Sequence, residues 1–583
     1  MWKLLKYSKK KDWLMIVISI AFIVLQVALD LKMPDYMSEI TKYITVPGSA
    51  MSDVLIAGGK MLACALGSMA SSVIVGYFVA KVASGFSMRL RDAVYNKVLS
   101  FSMEEVGKFS TASLITRSTN DITQVQTVIA FGLQAAVKAP IMAVWAIMKI
   151  AGKSWQWTAA TGVAVAFLLV VIVIVFLLVV PKFTKIQGLT DNLNRVTREN
   201  LNGIRVVRAY NAEDYQENKF ENANDDLTKT NLFTQKALAV MSPMMSLISG
   251  CLTLSIYWIG MYLINAASGM DKISLFSDMV VFSSYAMQVI LSFMMLTITM
   301  MILPRAMVSA KRINEVLSTQ NHVLDGANDS ATAEKGTIEF KNVSFHYPDA
   351  QDNILENISF QAKQGETVAF IGSTGSGKTT LINLIPRFYD VSAGEVLVDG
   401  RNVKDYSQKA LHDKIGYAPQ RATLFSGTVA SNVSYSMDDC EADWLQKALD
   451  VSQASEFVNE MKGKSEASIA QGGTNVSGGQ KQRLSIARAI YKHPEILIFD
   501  DSFSALDYRT DNVLRGALKK EAKGVTKLIV AQRIGTIKDA DRIVVVDDGH
   551  IVGQGTHKEL LENCEVYREI AESQLSKEEL ANA

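Results

Sequence analysis

Apolar residues run in long unbroken stretches through the first half of the chain, and in short β-branched runs separated by turns through the second. A helix must supply roughly 20 largely apolar residues to cross the hydrocarbon of a bilayer. Six stretches do so: about 13–33, 54–80, 127–150, 156–181, 238–266 and 274–304. Ala164 to Val180 holds no polar residue, whereas the second and third stretches carry Gly, Ser, Gln and Lys, which predicts that they face a bundle interior or a cavity. One such run could be the core helix of a large soluble protein, but six together predict a membrane domain over 1–320.

Lys3, Lys6, Lys9, Lys10 and Lys11 precede the first stretch, and Arg89, Arg91 and Lys97 follow the second. The positive-inside rule places these segments, and with them both termini, in the cytoplasm. The first apolar segment exceeds twenty residues without a small-residue cleavage site, so it predicts a retained helix and not a cleaved signal. Connections near 34–53, 151–155 and 267–273 are then outer and short. Those near 82–125 and 182–237 are inner, long and charged at helical spacing, which predicts helical arms reaching toward whatever follows residue 320.

Ionisable groups inside spans are costly and therefore functional candidates. Asp30 in the first and Lys138 in the third are singled out among them, with snorkelling to an interface as the plain alternative. Met241, Met244, Met245, Met261, Met279, Met287, Met294, Met295, Met300 and Met301 crowd the last two spans. Thioethers there either fill helix contacts or line an adaptable apolar surface.

From Gly336 the pattern changes to that of an α/β domain over 321–583. The buried run Val368-Ala369-Phe370-Ile371 leads into Gly372-Ser373-Thr374-Gly375-Ser376-Gly377-Lys378-Thr379-Thr380 and then the apolar helix Leu381 to Ile385. This is the glycine-rich phosphate loop in its strand–loop–helix setting. Its glycines let backbone N–H groups approach phosphates, Lys378 reaches the outer phosphates and Thr379 binds Mg²⁺. A second run, Ile496 to Phe499, ends in Asp500-Asp501, a carboxylate delivered beside that loop. Between the two lies Asn475-Val476-Ser477-Gly478-Gly479-Gln480, directly before a helix with Arg483 and Arg488.

Composition narrows the class. The chain has 583 residues, so more than one domain is expected, and its 59 basic against 58 acidic side chains leave a net charge of +1. No overall field recruits nucleic acid. Cys64, Cys251, Cys440 and Cys564 show no metal-ligand spacing and are expected as reduced, buried thiols.

Ser477-Gly478-Gly479-Gln480 resembles the signature of ATP-binding cassette proteins, and six spans followed by one cassette resembles the half-transporter layout of ABC exporters. The resemblance implies that Tyr347 stacks on adenine, that Gln420 in Ala418-Pro419-Gln420 is the glutamine that contacts Mg²⁺ and the catalytic centre, and that Ser504-Ala505-Leu506-Asp507 is the loop after the catalytic carboxylate. It likens Leu114 to Asp121 to the first inner loop, and Glu199, Gly203 and Val206 to Glu213 to the second. It further implies two halves whose cassettes close on two ATP molecules, each held between one chain's phosphate loop and the other chain's signature.

Two positions depart from that pattern. Where the family carries a catalytic glutamate, this chain has Asp501, one methylene shorter, and a displacement of about 1 Å in a water-orienting group costs on the order of a hundredfold in rate. Where the family carries a switch histidine, in Ile529-Val530-Ala531-Gln532-Arg533, it has Gln532, whose amide cannot hold a positive charge or shuttle a proton. The resemblance with these departures predicts the degenerate-site subunit of a heterodimeric exporter in a bacterial plasma membrane, resembling bacterial multidrug heterodimers and moving amphipathic drugs or lipid-like compounds. It would bind ATP and Mg²⁺ and hydrolyse slowly at its own site, while Ser477 to Gln480 complete the partner's. A homodimeric lipid or peptide exporter and a nucleotide-gated channel or sensor are the alternatives.

Overall fold

Long apolar runs satisfy their backbone polar groups internally only as helices, and the first half of the chain is helical throughout. The computed structural model describes residues 2–46, 50–151, 155–268, 270–329, 332, 334–348, 350–435, 440–576 and 580; the side chains at 2, 133, 184, 270, 298, 300 and 301 are also outside the described set, among them those of Met300 and Met301. The chain divides into two units, Met1–Leu99 with Ala112–Ser318, and Ser100–Thr111 with Thr319–Ala583.

In the first unit the helices are α1 (Lys10–Thr45), α2 (Met51–Leu99), α4 (Thr111–Ser118), α5 (Asn120–Thr127), α6 (Leu133–Ala151), α7 (Trp155–Asn202), α8 (Ile204–Ala209), α9 (Glu213–Ala239), α10 (Met241–Ala266) and α11 (Met270–Ser318). Among the described residues six helical stretches are long and apolar enough to cross a membrane. Trp157, Phe282 and Tyr285 are buried among Ile23, Val27 and Val75, whereas Val163, Val173 and Leu177 on α7 stay exposed. Such an apolar exterior is at home in lipid. The chain is an integral membrane protein.

The outer connection expected from residue 34 begins only after Thr45, because α1 runs through Pro34. On either side of that proline, Tyr285 donates to the Leu31 carbonyl at 3.0 Å and to Asp35 at 2.6 Å, and Ser277 donates to the Ser38 carbonyl at 2.9 Å. Asp30 and Lys138 pair with each other at 3.2 Å, and Ser68 donates to Asp30 at 2.5 Å. Lys149 pairs with Asp35 at 2.8 Å. A π-helical turn, Val128–Gly132, joins α5 to α6, and the first inner-loop segment falls on α4 and α5, the second on the end of α7 (Glu199), on Gly203 before α8, on α8 and at the start of α9.

The second unit takes in α3 (Met103–Phe109), which the sequence had assigned to the membrane domain. A capping box explains where α3 starts: Glu105 accepts from the backbone N–H and the hydroxyl of Ser102. Glu105 is fully buried and also accepts from His322 N–H at 3.0 Å, with the His322 ring Nδ1 at 2.8 Å from the same oxygen. That bonding draws Ser100–Thr111 into the unit that begins at Thr319.

Strands β1 (Ile338–Phe345), β2 (Leu355–Ala362), β4 (Ala393–Val398) and β5 (Arg401–Asn402) form an antiparallel sheet in the order β2-β1-β4-β5. The main sheet holds β3 (Thr367–Ile371), β6 (Ile415–Ala418), β7 (Ile496–Asp500), β8 (Thr526–Val530), β9 (Arg542–Asp547) and β10 (His550–Gly555) in the order β10-β9-β3-β8-β7-β6. All its pairs are parallel except β9 with β10. Strands β3, β7, β8 and β9 carry continuous apolar runs buried on both faces, as a parallel sheet requires, whereas the antiparallel edge strand β10 is half exposed. Helices α12 (Lys378–Asn383), α13 (Gly478–Tyr491) and α14 (Tyr508–Glu521) carry or flank the motifs. Cys64 and Cys564 are buried but Cys251 and Cys440 are exposed, contrary to expectation for those two, and all four are free thiols.

Candidate nucleotide site

The phosphate loop leaves the carboxyl end of β3, between β8 and β9, where parallel sheets place their ligand crevices. Gly372 is obligatory there, since a Cβ would stand 1.8 Å from the Val546 carbonyl oxygen. Gly377 adopts φ +95°, and a Cβ would meet Leu355 at 2.7 Å. Ser373 donates to Asp547 at 3.1 Å, anchoring the start of the loop.

Lys378 folds back across this loop. Its Nζ donates to the carbonyls of Gly372 and Ser373 at 3.0 and 2.6 Å, and reaches Ser376 Oγ at 3.1 Å. Burial pushes its ammonium below the ordinary lysine value, opposed by the charges of Asp501 and Asp500. An incoming phosphate would exchange those neutral acceptors for charged ones, so the loop is built around an anion. Thr374, Gly375 and Thr380 complete it, with Gly375 at φ +88°.

Thr379 donates to Asp500 Oδ1 at 2.9 Å. A hydroxyl and a carboxylate at hydrogen-bond distance form the hard oxygen pair that suits Mg²⁺. Burial raises the Asp500 carboxyl, the Thr379 hydrogen bond opposes it and the Asp501 charge adds to the rise. Tyr417, absent from the sequence reading, donates to Asn383 at 3.0 Å and lies 3.5 Å from Asp500 Oδ2. Its only sequence signal is its place on β6, three residues before Gln420. Tyr347 lies edge-on to Phe345 and Tyr389, with ring centroids at 5.1 and 5.3 Å, and its hydroxyl is 3.1 Å from Thr380 Oγ1. Tyr389 is a second aromatic that motif reasoning missed.

Asp501, Gln420 and Gln532 come together at one oxygen. Gln532 Nε2 donates to Asp501 Oδ2 at 3.0 Å and Gln420 Nε2 reaches the same atom at 3.3 Å. Asp501 sits at φ +46°, its N–H bonded to the Val530 carbonyl at 3.0 Å. Burial raises its carboxyl, while hydrogen bonds from Gln420 and Ser504 and the charges of Lys378 and Arg533 pull the other way.

The signature stands at the start of α13. Ser477 caps α13 by accepting from Gln480 N–H at 3.3 Å, while Gln480 Oε1 accepts from Ser477 N–H at 2.9 Å. Ser477 and Gly478 are exposed, and nothing stands within 4 Å of a Cβ on Gly478. A Cβ on Gly479 would lie 3.2 Å from the Ala505 carbonyl, which keeps that approach close. On the same helix Gln482 donates to the Pro419 carbonyl at 3.0 Å.

Family models agree with this construction. Residues 16–319 match the ABC transporter transmembrane region and residues 355–504 the ABC transporter model. The chain belongs to the ABC transporters. It is a half-transporter, membrane region and ATPase cassette in one polypeptide. An uncharacterized ABC transporter ATP-binding protein of Mycobacterium tuberculosis is 38% identical, the alignment covering 88% of this chain and 87% of the relative. The uncharacterized ABC transporter ATP-binding protein YfiB of Bacillus subtilis is 35% identical, with 90% of each covered. The ATP-dependent lipid A-core flippase of Pseudomonas aeruginosa is 31% identical over 84% of this chain and 80% of the flippase. A solved bacterial Atm1-family ABC exporter with ATP bound shares the fold, with a TM-score of 0.83, 23% identity and 97% and 99% coverage of the two chains.

Proposed function

We propose that this half-transporter is the degenerate-site subunit of a heterodimeric exporter that moves amphipathic or lipid-like compounds out of a bacterial cell. Its phosphate loop, Tyr347, Thr379 and Asp500 hold ATP with Mg²⁺. The metal supplies charge neutralisation at the β- and γ-phosphates when bound. The protein's part is to cradle the phosphates with backbone N–H groups and Lys378, and to orient water.

The observation that carries this reading is the shared acceptor Asp501 Oδ2. A carboxylate oxygen that already accepts from two neutral amides is a poorer acceptor for an attacking water's proton, and its carbon chain is one methylene short of the family's glutamate. Gln532 is spent on the same atom and brings no positive charge. The signature end of α13 is free of such engagement and would complete a competent site on a partner's phosphate loop. Cargo class is supported by the apolar, methionine-rich spans and by the flippase among the relatives. The basic residues flanking α1 and closing α2 support both termini in the cytoplasm.

The test is ATPase activity of the purified chain in lipid, alone and with a second half-transporter, across a panel of hydrophobic compounds. Negligible turnover alone and compound-stimulated turnover with the partner support the proposal. Robust turnover by the chain alone overturns it in favour of a homodimer.

A further inference from the structure

Residues 530–534 carry Gln532 to Asp501, and their backbone is pinned at both ends. Upstream the pins belong to the sheet: the Val530 carbonyl accepts from Asp501 N–H at 3.0 Å, and Ala531 N–H donates to the Phe370 carbonyl at 3.1 Å. Downstream the pin is one side chain, 42 residues beyond Gln532. Gln574 Nε2 donates to the Gln532 carbonyl at 2.8 Å, and Gln574 Oε1 accepts from Ile534 N–H at 2.9 Å. A side-chain amide offers both a donor and an acceptor, so a single group closes both bonds.

The helix starting there explains the second bond. Ile534 opens α15 (Ile534–Ile537), and the residue before it, Arg533, makes no side-chain cap bond. The first N–H of a helix has no partner within it, and Gln574 supplies one from another helix. That helix is α17 (Glu565–Gln574), which follows α16 (His557–Asn563). Tyr567, Ala571 and Gln574 recur at i, i+4 and i+7, on one face of α17. Tyr567 and Ala571 are fully buried in the core that also holds Ile534 and Ile537. The Tyr567 hydroxyl lies 2.6 Å from Nδ1 of the buried His557 on α16. The face that anchors α17 therefore delivers Gln574 to residues 532–534, while Gln574 itself is exposed and can be replaced without disturbing the core.

We propose that Gln574 is a positioning residue for ATP hydrolysis: by holding the backbone on both sides of Arg533, it aims the Gln532 amide at Asp501 Oδ2. Gln532 reaches that oxygen at 3.0 Å. Under the degenerate-site reading, on which only this last step rests, the amide so aimed occupies the carboxylate, and α17 acts as a brake on the chain's own site.

The full-length chain in lipid tests this as parent, Gln574→Ala, Gln574→Glu, Gln532→Ala and the double alanine variant. Hydrogen exchange needs no turnover. In Gln574→Ala the Ile534 amide is expected to exchange about five-fold faster, the worth of one neutral hydrogen bond, while Gln574→Glu still offers an acceptor and keeps it protected. Phosphate release is expected to rise about five-fold in kcat, at unchanged KM for ATP, in Gln574→Ala and also in Gln574→Glu, whose carboxylate cannot donate to the Gln532 carbonyl. In the Gln532→Ala background, Gln574→Ala is expected to leave kcat where it was, since no amide remains to be aimed. Unchanged exchange at Ile534, an unchanged kcat in Gln574→Ala, or the same change in both backgrounds overturns the proposal. A fall in kcat that vanishes in the Gln532→Ala background upholds the positioning and overturns the degenerate-site reading instead, because Gln532 would then be assisting Asp501.

Discussion

Gln532 donates through Nε2 to Asp501 Oδ2 across 3.0 Å, so the two positions on which the proposed degenerate site rests touch each other. They are one altered contact, and substitutions at contacting residues do not add. Asp501→Glu with Gln532→His is therefore expected to raise ATP hydrolysis by the chain alone by about a hundredfold. Each single change should give less than its share. Steady-state phosphate release in lipid for the four members of the cycle measures the coupling. A double variant no faster than the parent would place the limit elsewhere in the site.

Tyr347, proposed to stack on adenine, has its hydroxyl 3.1 Å from Thr380 Oγ1. Stacking on a base is worth about 1–3 kcal/mol, so Tyr347→Ala should weaken binding of a fluorescent ATP analogue by roughly 5- to 150-fold. Tyr347→Phe keeps the face and loses one neutral hydrogen bond of about 1 kcal/mol, a loss of a few-fold. Equal effects of the two variants would remove Tyr347 from the stacking role.

At Gly372, a methyl group has no room: the Val546 carbonyl would be 1.8 Å away. Gly372→Ala must displace β9 or the loop. It is expected to abolish ATP-analogue binding and to lower the thermal midpoint, because overpacking of a filled site costs about 1–3 kcal/mol or more. Gly375→Ala meets no neighbour within 4 Å and bears only the strain of φ +88°; it should cost on the order of 1 kcal/mol. Differential thermal unfolding of the two variants separates collision from backbone strain.

The loop, the signature and the six spans could all be read from residue order, because each rests on local chemistry: glycines for backbone approach, serine for a helix cap, unbroken apolar length for a bilayer. What residue order did not reveal depends on contacts between distant positions. Glu105 and His322 are 217 residues apart, and their contact helps group Ser100–Thr111 with the unit that begins at Thr319. Asp30 and Lys138 each looked like a lone charge with snorkelling as the plain account, until the fold paired them. Tyr417 carries no motif and reaches Asp500 only because β6 lies beside β7.

The Glu105–His322 contact gives stability a pH window. Burial would raise Glu105, but the Ser102 hydroxyl and the His322 ring and N–H outweigh it and hold the carboxyl at about 2 against an ordinary 4.5. Its contribution is present above pH 4.5 and is lost as pH falls toward 2. The hydrogen bond to Glu105 and the charge of Glu104 raise His322 above 6.5. Its contribution is complete below 6.5 and is lost as pH rises through the higher folded value. The difference in thermal midpoint between the parent and His322→Ala should be widest between pH 4.5 and 6.5 and shrink on either side. A difference independent of pH would reduce the contact to packing.

Removing one partner of the Asp30–Lys138 pair strands the other charge. Asp30→Asn is expected to destabilise the membrane region by about 3–5 kcal/mol, and Asp30→Leu with Lys138→Met by much less. Denaturant unfolding in mixed micelles checks the order. A double variant as unstable as the single would mean that the pair does more than satisfy itself.

Gln482 ties the helix that starts with the signature to the Pro419 carbonyl, one residue before Gln420. Whatever grips the exposed tip of α13 therefore pulls on the loop that touches Asp501. Occupancy at the tip is transmitted to this chain's own carboxylate through one amide and one peptide bond. In the proposed heterodimer, that tether would let this subunit register the moment its partner's nucleotide is clamped or released.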